Sequence, residues 1–204
     1  MSLAAKLPPL WPGEAAAVAA GIPARQREFA GGRAAARMAL AGVGIAPAAL
    51  PALPDRSPGW PKAIRGSIAH SATLAIAVAG PASAWKGLGV DLEPEGQVDA
   101  ELSTLLLRPE ERYAAIDPTA AFCAKEAVQK ALFPETGELL EFLDLGLKRH
   151  DLGFSAELQR PTGTVPAGTE IEVRLARAGG HVVAAALWPS TAPRNNAPSL
   201  AASA

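Results

Sequence analysis

The stretch GVDLE at residues 89–93 decides the fold, because it ends an apolar run and carries two regularly spaced acids. Residues i and i+2 of a strand share a face, so Asp91 and Glu93 point together while the apolar residues between them point into the core. Upstream, residues 74–78 form another apolar run, and Gly80-Pro81 turns the chain between the two. The pattern predicts a hairpin with a longer loop, formed by strands at 74–78 and 88–93.

The stretch FCAKEAVQK at residues 122–130 has helical character. Residues i and i+4 of a helix share a face, so Glu126 and Lys130 point together. If this helix packs beside the strand at 88–93, three carboxylates and one ammonium converge. Hard oxygen ligands of that kind suit Mg²⁺ bound together with the phosphates of a substrate.

The composition narrows the class of protein. The chain has 204 residues, 49% hydrophobic and 19% charged, which predicts a packed core of one large or two small domains. A net charge of −1 argues against a nucleic-acid binder that works through a strong basic field. The single cysteine, Cys123, cannot form an intrachain disulfide. With no apolar run long enough for a membrane span and a Pro-broken start unlike a signal peptide, we expect a cytoplasmic protein.

The rest of the chain reads as helices and short strands. A helix is expected from Pro23 to Ala41, followed by a Pro-rich loop at 46–62. Asp117 caps a helix that runs to Leu132. Further strands are predicted at four places: 139–148, 152–158, 170–176 and 181–188.

This order of elements predicts an α+β fold. We expect two similar-sized lobes with a pseudo-two-fold relation, each a helix packed on a small antiparallel sheet. The N-terminal lobe is expected at 1–94 and the C-terminal lobe at 95–189, and a tail at 190–204 is expected to be disordered. The acids and the lysine fall near the junction of the lobes, where ligand clefts are common.

Single features of this kind are weak, because Glu–Lys pairs decorate many helices. Their order is more specific: Arg-x₇-Arg at 25–33, Trp60-Pro61, GSIAHS at 66–71, and then the two acidic stretches. In this order the sequence resembles the 4′-phosphopantetheinyl transferases of the Sfp and enterobactin-synthetase type. The matching family patterns are F-x-x-G-R-x-x-A-x-x-A-L, G-S-x-[ST]-H-[SC], G-[IV]-D-x-E and [WF]-[SCT]-x-K-E-[AS]-x-x-K. The resemblance extends from Arg25 to Phe142.

The resemblance implies a reaction. The 4′-phosphopantetheine arm of coenzyme A would be transferred to a serine of an apo acyl, peptidyl or aryl carrier protein, releasing adenosine 3′,5′-bisphosphate. It implies Mg²⁺ held by Asp91, Glu93 and Glu126. It also implies a monomer that serves a peptide, polyketide or siderophore pathway, and the sequence leaves open which.

The resemblance also implies the residues that hold coenzyme A. Lys125 and Lys130 would contact phosphate oxygens, and His70 the pyrophosphate. Two arginines of the first helix, Arg25 and Arg33, would hold the 3′-phosphate. The remaining candidates belong to the loop expected to enclose adenine and to the GSIAHS motif: Arg56, Lys62 and Ser67.

The acceptor serine must lose a proton, and a carboxylate within reach can take it. Glu126 is the first candidate for this general base, while Glu111 and a metal-bound water stay open. Asp91 and Lys130 complete the predicted catalytic set. Two positions depart from the family pattern, Ala69 before the histidine and Gln129 before the last lysine.

Two rival functions follow from the same motifs. A non-catalytic module that binds coenzyme A or a carrier protein would be expected to lose an acid or Lys130, and none is lost. A different Mg²⁺-dependent phosphotransferase is disfavoured because the sequence has no Gly-rich P-loop.

Overall fold

A computed structural model describes residues 1–190, so the predicted tail beyond Ser190 lies outside the described residues. The elements are, in chain order, α1 (Pro23–Gly42), β1 (Ile64–His70), β2 (Ala75–Pro81), β3 (Trp85–Pro94), α2 (Ala100–Leu106), α3 (Pro109–Tyr113), α4 (Pro118–Thr136), β4 (Leu145–His150), β5 (Gly153–Leu158), β6 (Glu170–Ala178) and β7 (His181–Pro189). None of the helices in the described part of the chain is long and apolar enough to cross a bilayer.

The strands form two antiparallel sheets, which confirms the α+β class. One sheet has the two strands β1 and β2, and the other has five strands in the order β3-β7-β6-β5-β4. The two sheets are therefore unequal in strand number. Helix α1 packs on the small sheet and α4 packs on the large one.

Strand β3 does not belong where the sequence placed it. The predicted hairpin of residues 74–78 and 88–93 is wrong, because β2 pairs with β1 and β3 pairs with β7. Residues 85–94 thus lie in the large sheet, whereas the sequence had assigned them to the N-terminal lobe. Hairpin logic favours neighbours in the chain, but β3, although mostly buried, is the edge strand of the five-stranded sheet and pairs there with β7, the last strand.

The two faces of β3 carry different chemistry. Val90 and Leu92 pack into an apolar cluster with Leu74, which precedes β2, and with Ile76 of β2. The opposite face, which carries Asp91, lies against α4. The alternation read from the sequence is therefore correct, although the pairing was not.

Helix α4 is the centre of the main core. Five of its ten buried residues are alanines, among them Ala120, Ala124, Ala127 and Ala131. Asp117 caps the helix by accepting a hydrogen bond from the backbone N–H of Thr119, as the sequence predicted. Small side chains let the helix axis lie close to the sheet, which fixes the distance between α4 and β3.

The strand predicted at 139–148 begins later than expected. Residues 142–144 form a short 3₁₀ turn, and β4 starts only at Leu145. The turn is held by Asp144, which accepts a hydrogen bond from the backbone N–H of Glu141. Local side-chain capping here competes with strand pairing, which the apolar pattern alone does not reveal.

Candidate active site

Two glycines of β3 let α4 lie directly on the strand. A Cβ atom at Gly89 would sit 1.8 Å from the carbonyl oxygen of Ala127, and one at Gly87 would sit 2.0 Å from that of Ala131. Both contacts are far inside any van der Waals limit, so only glycine fits. The glycine of the GVDLE motif is therefore the residue that brings Glu126 and its helix face to the strand acids.

Asp91 and Lys130 meet across this contact. The Nζ of Lys130 donates to Oδ1 of Asp91 at 2.5 Å. Asp91 is only 5% exposed, and its other oxygen, Oδ2, is buried without a hydrogen-bond partner. A buried carboxylate oxygen without a donor is costly, so this atom is suited to a ligand that supplies positive charge.

Glu93 and Glu126 stand beside this pair. Burial raises the pKa of Glu93, and the negative charge of Asp91 raises it further. Burial likewise raises the pKa of Glu126, where Lys130 opposes the shift and Asp91 adds to it. The structure thus brings the three acids and the lysine within electrostatic reach of one another, as strand and helix periodicity predicted.

The carboxylates of Asp91, Glu93 and Glu126 are the candidate ligands for a divalent metal. Within residues 1–190, no three His, Cys, Asp or Glu side chains are already grouped as a metal site. The chemistry nonetheless fits Mg²⁺, because all three candidate ligands are carboxylates and Oδ2 of Asp91 has no partner. In the structure, Lys130 balances the charge of Asp91 instead.

A cleft of about 590 Å³ leads to this cluster. It lies between the Pro-rich loop, β1 and the outer face of α4. Its described lining reaches Glu126 and Lys130 but stops short of Asp91, Glu93 and His70. Four of the lining side chains are cationic: Arg56, Lys62, Arg65 and Lys130. The cleft can therefore take an anionic ligand whose far end lies at the acids.

The Pro-rich loop forms the outer wall of the cleft. Trp60 lies over β1, where a Cβ atom at Gly66 would come within 2.7 Å of its ring. Arg56 has φ of 69°, a conformation that non-glycine residues rarely adopt. Ser67, Arg56 and Lys62 all line the cleft, and their contact with coenzyme A stays a prediction.

His70 lies at the end of β1 and is held by two residues of α1. Nη1 of Arg25 donates to Nε2 of His70 at 2.9 Å, and Nδ1 lies 3.7 Å from a carboxylate oxygen of Glu28. Burial lowers the pKa of His70, while Glu28 raises it and Arg25 lowers it. An acceptor Nε2 requires the neutral ring, which agrees with the lowered pKa.

Arg33 does not reach the cleft, which corrects its predicted contact with the 3′-phosphate. It is 5% exposed, its Nε donates to the carbonyl oxygen of Leu50 at 2.6 Å, and its guanidinium stacks on Phe29. Burial lowers the pKa of Arg33 to about 10. Its role in the structure is to hold the loop after α1, because that carbonyl lies in the loop.

Lys125 is also directed away from the cleft, which corrects its predicted phosphate contact. It is 1% exposed, and its Nζ donates to the carbonyl oxygen of Leu106 at 2.9 Å and to Oε2 of Glu111 at 2.8 Å. Burial lowers the pKa of Lys125. Neighbouring helix positions are about 100° apart, so Glu126 can face the cleft only if Lys125 faces elsewhere.

Glu111 is equally enclosed and does not serve as a base in this arrangement. Besides Lys125, its carboxylate accepts from the backbone N–H groups of Arg108 and Leu147. With 1% exposure it ties α3, α4 and β4 together. Of the two carboxylates considered for the general base, only Glu126 faces the cleft.

Sequence reasoning missed Arg65 and gave no account of Gln129. Arg65 lines the cleft, its Nε donates to the carbonyl oxygen of Lys86, and it precedes Ser67 by two positions, a spacing that places both on one strand face. The Gln129 amide bonds the carbonyl oxygen of Glu138 and the backbone N–H of Leu140. The departure at 129 therefore fixes the loop after α4.

Two family models match the sequence, one over each part of the chain. The family model described as the 4′-phosphopantetheinyl transferase N-terminal domain matches residues 13–80. The model of the 4′-phosphopantetheinyl transferase superfamily matches residues 87–186. The chain belongs to the 4′-phosphopantetheinyl transferase family and is an enzyme of that class.

Three relatives show how far the similarity extends. The 4′-phosphopantetheinyl transferase Svp of Streptomyces mobaraensis is 37% identical over 86% of this chain and 77% of its own. The transferase PptT of Mycobacterium tuberculosis is 36% identical over 65% of this chain and 62% of its own. Enterobactin synthase component D of Salmonella typhimurium is 36% identical over 52% of this chain and 48% of its own.

Proposed function

We propose that this enzyme transfers the 4′-phosphopantetheine group of coenzyme A to a serine of an apo carrier protein and depends on Mg²⁺. The observation that carries the proposal is a cation-lined cleft whose lining reaches Glu126 and Lys130, the lysine that is paired with Asp91. Family membership supplies the reaction class. We also propose that the enzyme acts as a monomer in the cytoplasm.

The cleft supports the binding of coenzyme A along its length. Arg56, Lys62 and Arg65 offer positive charge at the loop end, and Trp60 offers an aromatic surface for the adenine base. Ser67 and Lys130 lie further in, towards the acids. His70 and Arg25, which bond each other and are not among the residues that line the cleft, are proposed to contact the pyrophosphate and the 3′-phosphate.

The chemistry requires one bond to form and one to break. The serine oxygen forms a bond to the phosphorus that carries the pantetheine arm, while the bond from that phosphorus to the bridging oxygen of the pyrophosphate breaks. Adenosine 3′,5′-bisphosphate leaves with the electron pair. Glu126 takes the serine proton, because its carboxylate faces the cleft.

Charge develops on phosphate oxygens during the transfer, and Lys130 is placed to stabilise it. Mg²⁺, when held by Asp91, Glu93 and Glu126, would supply further positive charge there. Lys130 also keeps Asp91 oriented through their contact of 2.5 Å. On one side of the cleft, Lys130 therefore stabilises the phosphate charge and orients Asp91, and Glu126 accepts the serine proton.

The test is to incubate the protein with coenzyme A, Mg²⁺ and an apo carrier protein, and to weigh the carrier by mass spectrometry. We expect the carrier to gain the mass of one phosphopantetheine. A carrier whose acceptor serine is replaced by alanine should gain nothing, and chelation of Mg²⁺ should stop the gain. An unchanged carrier mass, with coenzyme A still bound, would favour the non-catalytic module instead.

A further inference from the structure

A hydrogen bond that the proposed reaction does not use links the two parts of the molecule. Oγ of Ser71, the residue after His70, lies 3.0 Å from Nε2 of His181, the first residue of β7. Nδ1 of the same ring lies 2.9 Å from the carbonyl oxygen of Gly179. His181 is 7% exposed, and both contacts are part-buried.

The direction of this hydrogen bond follows from the partners. A carbonyl oxygen only accepts, so Nδ1 of His181 carries the proton. Oγ of Ser71 accepts from the backbone N–H groups of Thr73 and Leu74, each at 3.2 Å, which occupies its two lone pairs. Its own proton therefore points at His181, since the hydroxyl of Thr73 lies further away at 3.4 Å. In this arrangement Nε2 of His181 is the acceptor.

The turn that carries His181 is fixed to the strand that carries the acids. The backbone N–H of Glu95 donates to the carbonyl oxygen of Gly180 at 2.9 Å, and His181 stands opposite Pro94 in the β3–β7 register. Ser71 begins the turn that follows His70. The side chain of His181 thus connects Ser71, just after the end of β1, to the end of β3.

We propose that His181 is a positioning residue that, through the hydroxyl of Ser71, sets where His70 stands relative to Asp91 and Glu93. The inference rests on the proposed function, in which His70 contacts the pyrophosphate of coenzyme A. His181 is not one of the proposed metal ligands, although its charge acts to lower the pKa of Glu93. Its effect is to keep the turn after β1 from shifting while the phosphates bind.

The first test is a double-mutant cycle of His181→Phe and Ser71→Ala, with the KM for coenzyme A and kcat measured for carrier modification. His181→Phe should lower kcat/KM for coenzyme A by about fivefold, the value of one hydrogen bond. Ser71→Ala should lower it at least as much, because it also removes the acceptor of two backbone N–H groups. The double variant should be no worse than Ser71→Ala alone, because the contact that His181→Phe removes is already lost there. His181→Gln should recover most of the activity, because its amide oxygen can accept where Nε2 does.

The matched control is Ser190→Ala. The hydroxyl of Ser190 donates to the carbonyl oxygen of Ala82 at 3.1 Å, so it too joins the two parts of the chain, but at the opposite end of β7. It should change thermal stability without changing KM for coenzyme A. Equal kinetic losses in Ser190→Ala, or additive losses in the cycle, would overturn the proposal.

The second test does not depend on activity. The chain has three histidines, so ¹⁵N spectra of the imidazole nitrogens can be assigned by single substitutions. His181 should show the Nδ1–H tautomer, and Ser71→Ala should shift its Nε2 signal; an Nε2–H tautomer would overturn the proposal. A wild-type protein that modifies no carrier would refute the proposed function, while this spectrum would still decide the Ser71–His181 contact.

Discussion

Replacing Gly89 with alanine tests whether the site depends on the close contact of α4 with β3. The added Cβ would lie 1.8 Å from the carbonyl oxygen of Ala127 and 2.9 Å from the backbone nitrogen of Ala131. Real Cβ atoms stay at least 3.0 Å from such atoms, so the helix must retreat by about 1 Å. A shift of that size opens the 2.5 Å contact between Lys130 and Asp91 to the limit of a hydrogen bond.

The expected cost has two parts. Overpacking against backbone typically destabilises by about 1–3 kcal/mol, which lowers Tm by about 2–12 °C in a chain of this size. Misplacement of reacting groups by about 1 Å lowers the transfer rate by about 100-fold. The rate should be measured in single turnover at saturating coenzyme A and below the melting range, so that the two effects separate.

The matched control is Gly42→Ala at the end of α1, where an added Cβ meets nothing within 4 Å. This variant should keep the wild-type rate and a Tm at or slightly above the wild-type value, because alanine favours the helix. The reasoning would be refuted if Gly89→Ala also kept wild-type stability and turnover.

Three further predictions follow from the same geometry. Asp91→Ala should abolish transfer while near-wild-type circular dichroism is kept, because it removes the unpartnered Oδ2 and the partner of Lys130; measurable turnover at ordinary Mg²⁺ would contradict this. Arg33→Ala should lower the free energy of unfolding by about 1.5–3 kcal/mol and affect coenzyme A and dephospho-coenzyme A equally, since it holds Leu50; a selective loss for coenzyme A would return it to the 3′-phosphate. Lys125→Met should cost about 3–5 kcal/mol in urea unfolding because Glu111 loses its buried partner, and adding Glu111→Gln should restore part of that stability.

Much of the site could be read from the sequence because it rests on short-range periodicity. The spacing of Asp91 and Glu93 on a strand, and of Glu126 and Lys130 on a helix, fixes which side chains share a face whatever the tertiary partners are. Arg33 and Lys125 show the limit of the same reasoning. Their positions in the motifs predicted a contact with phosphate. The direction in which an arginine or lysine side chain points, however, depends on what packs against it.

The sequence by itself determined the α+β class, the position of α4, its Asp117 cap and the alternation along β3. Each depends on residues close in the chain, whose interactions the local pattern encodes. Only the tertiary structure decided that β3 pairs with β7 rather than β2, and that Glu111 and Lys125 are enclosed in the core. The strand pairing and the burial of these side chains depend on which surfaces pack together. Ser71 and His181 form a hydrogen bond although they are 110 positions apart, which no local pattern encodes. Burial is a property of the whole packed chain, so no local stretch of sequence specifies it.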